Sequence, residues 1–152
     1  TFNYVLAIRA KSRRLKAEHG LGLVIIDYLQ LMSGVGSFVA REQVISDISR
    51  SMKALAKDLS IPVIVISQLN RSCEMRENKH PIIADLRESG AIEQDADTIL
   101  FLYRDDYYKN DAEQGVADLD IAKQRSGPTG REKLTFVDKY TKFKDYTGQK
   151  AY

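Results

Sequence analysis

Two short, unbroken apolar runs, residues 21–26 (LGLVII) and 61–66 (IPVIVI), flank one strongly amphipathic stretch, and this arrangement constrains the fold more than any other feature of the chain. A run without polar alternation reads as a strand covered on both faces, as in a parallel sheet. Between the runs, residues 41–59 place Val44, Ile45, Ile48, Met52, Leu55, Ala56 and Leu59 on one helical stripe. Strand, helix, strand at this spacing is a crossover unit and predicts an α/β sheet. Pro62 is tolerable because it stands at the very start of its strand. Residues 98–103 (TILFLY) predict a third buried strand. Upstream, a helix is expected from Tyr4 to about His19, with Val5, Ile8 and Leu15 on one face and Gly20 placed to end it. Its Arg9, Lys11, Arg13, Arg14 and Lys16 read as a solvated face.

From about Gly115 the pattern changes. Residues 118–123 (DLDIAK) and 133–137 (KLTFV) alternate apolar and polar side chains around Gly127-Pro128-Thr129-Gly130, which predicts an antiparallel hairpin. Residues 142–146 add an expected edge strand. The stretch from Gln68 to Gly90 has weak periodicity and many charges, and a loop of that length within a compact domain is usually functional or disordered.

The 152 residues suffice for one core, and 43% hydrophobic with 29% charged residues describe an ordinary soluble globular protein. No apolar run nears the roughly 20 residues that span a bilayer, so no membrane association is expected. Cys73 stands alone and cannot form an internal disulfide, which points to a reducing, cytoplasmic location. A net charge of +2 neither demands nor excludes nucleic acid. The chain opens on Thr1 with a helical pattern almost at once, which reads as a start inside a larger protein.

Three places carry residues suited to phosphate chemistry. Val24-Ile25-Ile26-Asp27 has the form of a Walker B strand, whose terminal carboxylate holds Mg²⁺ through water against nucleotide phosphates. An aspartate there equally serves to cap a turn. Tyr28, rather than Glu, follows it, so an acid that activates water must come from elsewhere. The next strand ends at Ser67-Gln68. A glutamine at a strand tip can bond a phosphate oxygen and a neighbouring backbone together, or simply face water. Lys123 and Arg125, two apart at a strand end, would project from one face. They offer a point charge and a planar fork to a phosphoryl group, or form an ordinary cationic surface.

In order, the chain contains RAKSRRLKAEHGLGLVIIDYLQLM, ISRSMKALAKDLSIPVIVISQLNR, DLRESGAIEQDADTILFLYRDDYY and IAKQRSGPTG. These segments resemble the successive motifs of the DnaB family of hexameric replicative helicases, from about Ile8 to Val137. The resemblance implies an α/β fold with a RecA-like P-loop NTPase core, a mostly parallel twisted sheet and an antiparallel hairpin extension. The whole chain, 1–152, would be the C-terminal part of that ATPase domain. It implies ATP and Mg²⁺ as cofactors, single-stranded DNA as the track, a homohexamer, and primase and a helicase loader as partners. Asp27 matches the family's Walker B aspartate and Gln68 its phosphate-sensing glutamine. Lys123 and Arg125 match the lysine and arginine finger that reach a neighbouring subunit's nucleotide. Arg87, Glu88 and Gly90 match the loop on the DNA backbone. There Glu88 would act through its amide or by orienting Arg87, Gly90 would permit close approach, and a short helix at 89–94 would offer amides. One departure stands out: no G-x-x-x-x-G-K-S/T run occurs, and the family's catalytic glutamate lies upstream of the matched segment. The chain alone is therefore expected not to hydrolyse ATP. Other RecA-like ATPases (a recombinase or a phage primase–helicase) and a non-catalytic binding module are the alternatives.

Overall fold

A computed structural model describes residues 2–33, 41–86 and 90–148. The chain forms two compact units, one from Thr1–Glu77 and Ile83–Ala96, the other from Asn78–Ile82 and Asp97–Tyr152.

In the first unit, helix α1 (Phe2–His19) stops where Gly20 adopts φ +72°, its N–H donating to the Lys16 carbonyl at 3.1 Å. Glycine takes that left-handed conformation without a Cβ penalty, as the sequence anticipates. Helix α2 (Arg41–Leu59) has the expected bounds. Its stripe of Val44, Ile45, Ile48, Met52, Leu55 and Leu59 forms the core with Val5, Ile26, Leu29, Met32 and Ile61. Two of the α1 cations are more than a solvated face: Arg9 and Arg13 each donate to the Asp58 carboxylate at 2.9 Å. The hydrogen bond from Arg13, then that from Arg9, holds this exposed carboxyl below its ordinary range.

Strand β1 (Val24–Ile26) pairs in parallel with β2 (Val63–Val65), Ile25 opposite Ile64. Both strands are shorter than the apolar runs that encode them. Within the described residues one face is the better covered. Val24, Ile26, Val63 and Val65 pack toward the core, whereas Ile25 and Ile64 are 59% and 51% exposed. Successive side chains on a strand point to opposite faces, and among the described residues the second face is about half exposed.

The second unit is an antiparallel sheet ordered β3 (Thr98–Tyr103), β4 (Val116–Gln124), β5 (Gly130–Val137), β6 (Lys142–Asp145). The expected hairpin and edge strand are present, and β3 joins them through β4. Parallel pairing among the described strands is therefore confined to β1 and β2, and the antiparallel part is four strands rather than a hairpin. Strand β3 alternates: Ile99, Phe101 and Tyr103 are buried, Leu100 and Leu102 half exposed.

Polar groups pin this sheet. Arg104 donates to both oxygens of Asp106, at 3.0 and 3.2 Å, and the Gly115 N–H adds a bond of 2.9 Å. Burial pushes the Asp106 carboxyl upward, but these bonds outweigh it and leave the group below its ordinary range. Gly115 sits at φ +73°, and a Cβ there would meet the Phe136 carbonyl at 3.2 Å. Burial, reinforced by a 2.8 Å hydrogen bond to Asp105, pushes the Tyr103 hydroxyl up to about 12. His80, from the 78–82 segment, lies 3.7 Å from Asp118 and 3.5 Å from Asp120, with its ring 3.9 Å from that of Tyr103. Arg131 closes on Asp120 from the sheet.

Candidate functional site

The parallel pair sets the geometry. In open α/β sheets, ligands bind beyond the carboxyl ends of the strands. Asp27 and Gln68 both lie there, Asp27 one residue past β1 and Gln68 three past β2, and both are exposed. The ladder runs on past the strands: Ile66 N–H donates to the Ile26 carbonyl and Leu29 N–H to the Ile66 carbonyl, each at 2.9 Å. The stretch after Asp27 is thereby held against the stretch that leads to Gln68. The Asp27–Tyr28 peptide is cis.

A buried glutamine joins the two stretches. Gln30, in a 3-10 turn (Leu29–Ser33), donates from Nε2 to Ser67 Oγ at 3.0 Å and to the Gln68 carbonyl at 3.3 Å. Its Oε1 accepts from the Gln68 N–H at 3.2 Å. The sequence reading missed this residue, although a polar side chain amid Leu29, Leu31 and Met32 is a legible signal for a buried amide with partners.

The loop after Gln68 is built, not loose. Two 3-10 turns (Arg71–Met75 and Ile83–Asp85) shape it, and Cys73 is buried within the first. An antiparallel bridge joins Leu69 to Leu86, and Asn70 N–H donates to the Asp85 carbonyl at 2.7 Å. Arg76 grips the buried Asp85 carboxylate with two bonds, at 3.0 and 2.5 Å. The loop's ends are thus brought together, so the residue after Gln68 faces the residue before Arg87. Arg87 and Glu88 themselves lie outside the described residues. Helix α3 is described over Gly90–Asp95, and Ser89, where the helix is expected to begin, lies outside the described residues. Gly90 is exposed, and a Cβ there would meet nothing within 4 Å.

Lys123 and Arg125 belong to the second unit. Lys123 is the penultimate residue of β4, but Arg125 lies one residue beyond the strand. The two-residue alternation expected to align them therefore runs out at Gln124. The Arg125 N–H donates to the Asp97 carbonyl at 2.8 Å, and its guanidinium lies 3.4 Å from the Asp97 carboxylate. That side chain is 56% exposed, so it has room to exchange Asp97 for another anion.

Among the described residues no group of three or more His, Cys, Asp or Glu side chains is arranged to hold a metal. A single carboxylate fits Mg²⁺ only together with a nucleotide, since that ion keeps several waters and takes one or two carboxylates plus phosphates. Asp27 suits this role, open to solvent at the strand end.

The parallel pair and the helix between its strands make an α/β unit, and comparison with known proteins gives the family. Residues 2–145 match the DnaB-like helicase C terminal domain, so the chain belongs to that family. It is 57% identical over 138 residues to the replicative DNA helicase DnaB of Geobacillus stearothermophilus, covering 90% of this chain and 30% of that protein. It is 54% identical over 141 residues to the replicative DNA helicase DnaC of Bacillus subtilis (strain 168), covering 91% and 31%. Among solved structures, one ATPase domain superposes with a TM-score of 0.88 at 44% identity, covering 93% of this chain and 51% of that one. A DnaB-like replicative helicase, whose structure addresses its interactions with primase, gives 0.88 at 43% identity, covering 93% and 35%. The chain thus spans about a third of the curated relatives it matches. The likeness to these structures supports the RecA-like α/β reading.

Proposed function

We propose that this chain is the C-terminal part of the motor domain of a replicative DNA helicase, which uses ATP and Mg²⁺ to move along single-stranded DNA and part duplexes as a homohexamer. The observation that carries the reading is the family match across residues 2–145, joined to 57% identity with a replicative helicase.

In this reading ATP lies between subunits. Asp27 holds Mg²⁺ through water on one side, Gln68 reads the terminal phosphate, and Lys123 and Arg125 come from the neighbour. Bound ATP supplies the phosphoryl bond whose loss drives the motor. Arg87, Glu88 and Gly90 grip the DNA backbone. The Leu69–Leu86 bridge supports a short route between the two tasks, because it ties the end of the phosphate-reading stretch to the base of the DNA loop. Primase and a helicase loader are the expected partners, primase being named for one structural relative. The cytoplasm is the expected site of action. Among the described residues no helix is long and apolar enough to cross a membrane.

The test is made in the full-length helicase carrying this segment. Arg87→Ala should weaken single-stranded DNA binding, lower the salt slope by about one and leave basal ATP turnover intact. An unaltered salt titration would remove the loop from the DNA site. Failure of the unmodified protein to unwind a forked duplex with ATP would remove the helicase reading itself.

A further inference from the structure

Two ladders approach Gln68 and neither reaches it. Pairing with β1 ends at Ile66, whose N–H meets the Ile26 carbonyl, and the antiparallel bridge to Leu86 begins only at Leu69. Ser67 and Gln68 occupy the gap. A backbone stretch without a strand neighbour would be free to shift, and a side chain carried on it would lose a fixed origin. Gln30 fills the gap. Its amide oxygen accepts from the Gln68 N–H at 3.2 Å, while its Nε2 donates to the Gln68 carbonyl at 3.3 Å and to Ser67 Oγ at 3.0 Å. One primary amide thus presents an acceptor and a donor to the backbone of a single residue, as a neighbouring strand would. Gln30 is 8% exposed and lies three residues after Asp27, so its own position is set by the turn that follows the carboxylate.

We propose that Gln30 is the positioning residue for Gln68: its side-chain amide stands in for a strand neighbour and locks the turn after Asp27 to the residue that reads the phosphate. The proposal deepens the helicase reading and rests on Gln68 as the phosphate reader. A displacement of Asp27 on nucleotide loss is passed to Gln68 through one side chain, and from there to Leu69 and the base of the DNA loop. Gln30 touches no substrate and acts only through the backbone it holds.

The experiment compares three variants of the full-length helicase carrying this segment. Gln30→Met keeps length and apolar bulk but removes all three bonds. Gln30→Glu keeps the shape and the acceptor but turns a second oxygen on the Gln68 carbonyl. Gln68→Ala removes the reader. Each is measured for kcat and KM of ATP with and without single-stranded DNA, for hydrogen exchange of the peptide spanning residues 66–70, and for Tm. Misplacement of a catalytic element by about 1 Å costs on the order of a hundredfold in rate. Gln30→Met should therefore lose about ten- to a hundredfold in kcat, keep the KM for ATP within about twofold, lose DNA stimulation and exchange faster at 66–70. Gln30→Glu should lie between it and the unmodified protein. If Gln30→Met fails to fold, Gln30→Glu is judged by the same split between kcat and KM. Normal turnover and DNA stimulation in the Gln30 variants, beside an impaired Gln68→Ala, would overturn the positioning role alone. Normal turnover in Gln68→Ala would overturn the phosphate-reading role, and unchanged exchange at 66–70 would then overturn the clamp as well. A uniform loss of Tm and of ATP affinity, without a kcat-specific defect, would reduce Gln30 to a packing residue.

Discussion

In the first unit α2 packs the essentially inaccessible Ile45, Ile48 and Leu55 against Ile26, Leu29 and Met32, and the buried polar residues are Ser12, Gln30, Ser49 and Asp85. In the second, Ile99, Phe101 and Ala117 share the buried positions with Asp120 and Thr135, and Arg104, Arg131 and His80 converge on carboxylates. Burial of apolar surface does not titrate, whereas charge-assisted hydrogen bonds do. The unit that carries Asp27 and Gln68 should thus be most sensitive to lost volume, and the Arg13 and Arg9 bonds to Asp58 should weaken in it only as pH falls. The unit that carries Lys123 and Arg125 should respond to pH from both ends of the scale.

The largest effect tests the division of chemistry between the units. In the full-length helicase, Arg125→Ala should lower turnover by about 10³ to 10⁵, the range typical of arginine fingers. Mixed with a phosphate-loop mutant, it should regain ATPase activity where an intact loop meets an intact finger. Failure to complement, with mixed rings verified by mass, would place Arg125 in its own subunit's site or on the surface. Next in size, Leu55→Ala should destabilise the first unit by about 2 to 5 kcal/mol, the range for truncating a buried leucine, read from the denaturant midpoint. An equal loss of protection in both units by hydrogen exchange would break the comparison. Smaller still, Asp106→Asn should cost about 1 to 3 kcal/mol, because Arg104 and the Gly115 N–H lose a charged acceptor.

The pH dependence follows from the same groups. Asp105 and Asp106 both lie below their ordinary value of 3.8. Tyr103 holds Asp105 down by its hydrogen bond, Lys109 adding to it, and Arg104 with Gly115 holds Asp106 down against burial. Their contribution is present above 3.8 and is lost as pH falls through the still lower folded values. Tyr103, raised to about 12, contributes fully below its ordinary 10 and loses that contribution as pH rises from 10 towards 12. Amide signals of β3–β6 should therefore broaden at both extremes before those of α2. Simultaneous loss would show that the two units melt as one.

The sequence carried α2 and the hairpin because each is written in local periodicity, and local packing obeys it; β3 was announced only as an apolar run, and its half-exposed Leu100 and Leu102 were not. The sequence overstated the length of β1 and β2, because an apolar run extends past the residues that pair: three of each six do so. Asp27 and Gln68 were legible as polar residues closing apolar strands. Gln30 was not assigned, because its role depends on a gap between two ladders far apart in sequence. Asp85 and Arg76 were visible only as charges in a loop, and nothing in their spacing announced that they would clasp each other.

The short segment Asn78–Ile82 belongs to the second unit, while the residues on either side of it belong to the first. Neither unit is therefore a continuous stretch of polypeptide, and the chain passes between them three times, after Glu77, Ile82 and Ala96. No single breakpoint inherits one unit whole. A gene exchange that joined this segment's first 96 residues to a foreign continuation would carry His80 away from Asp118 and Asp120. The reverse exchange would leave those aspartates facing a stranger's loop. The two units are bound to travel together through recombination, and a chimera that respects them must swap the five-residue segment along with the sheet.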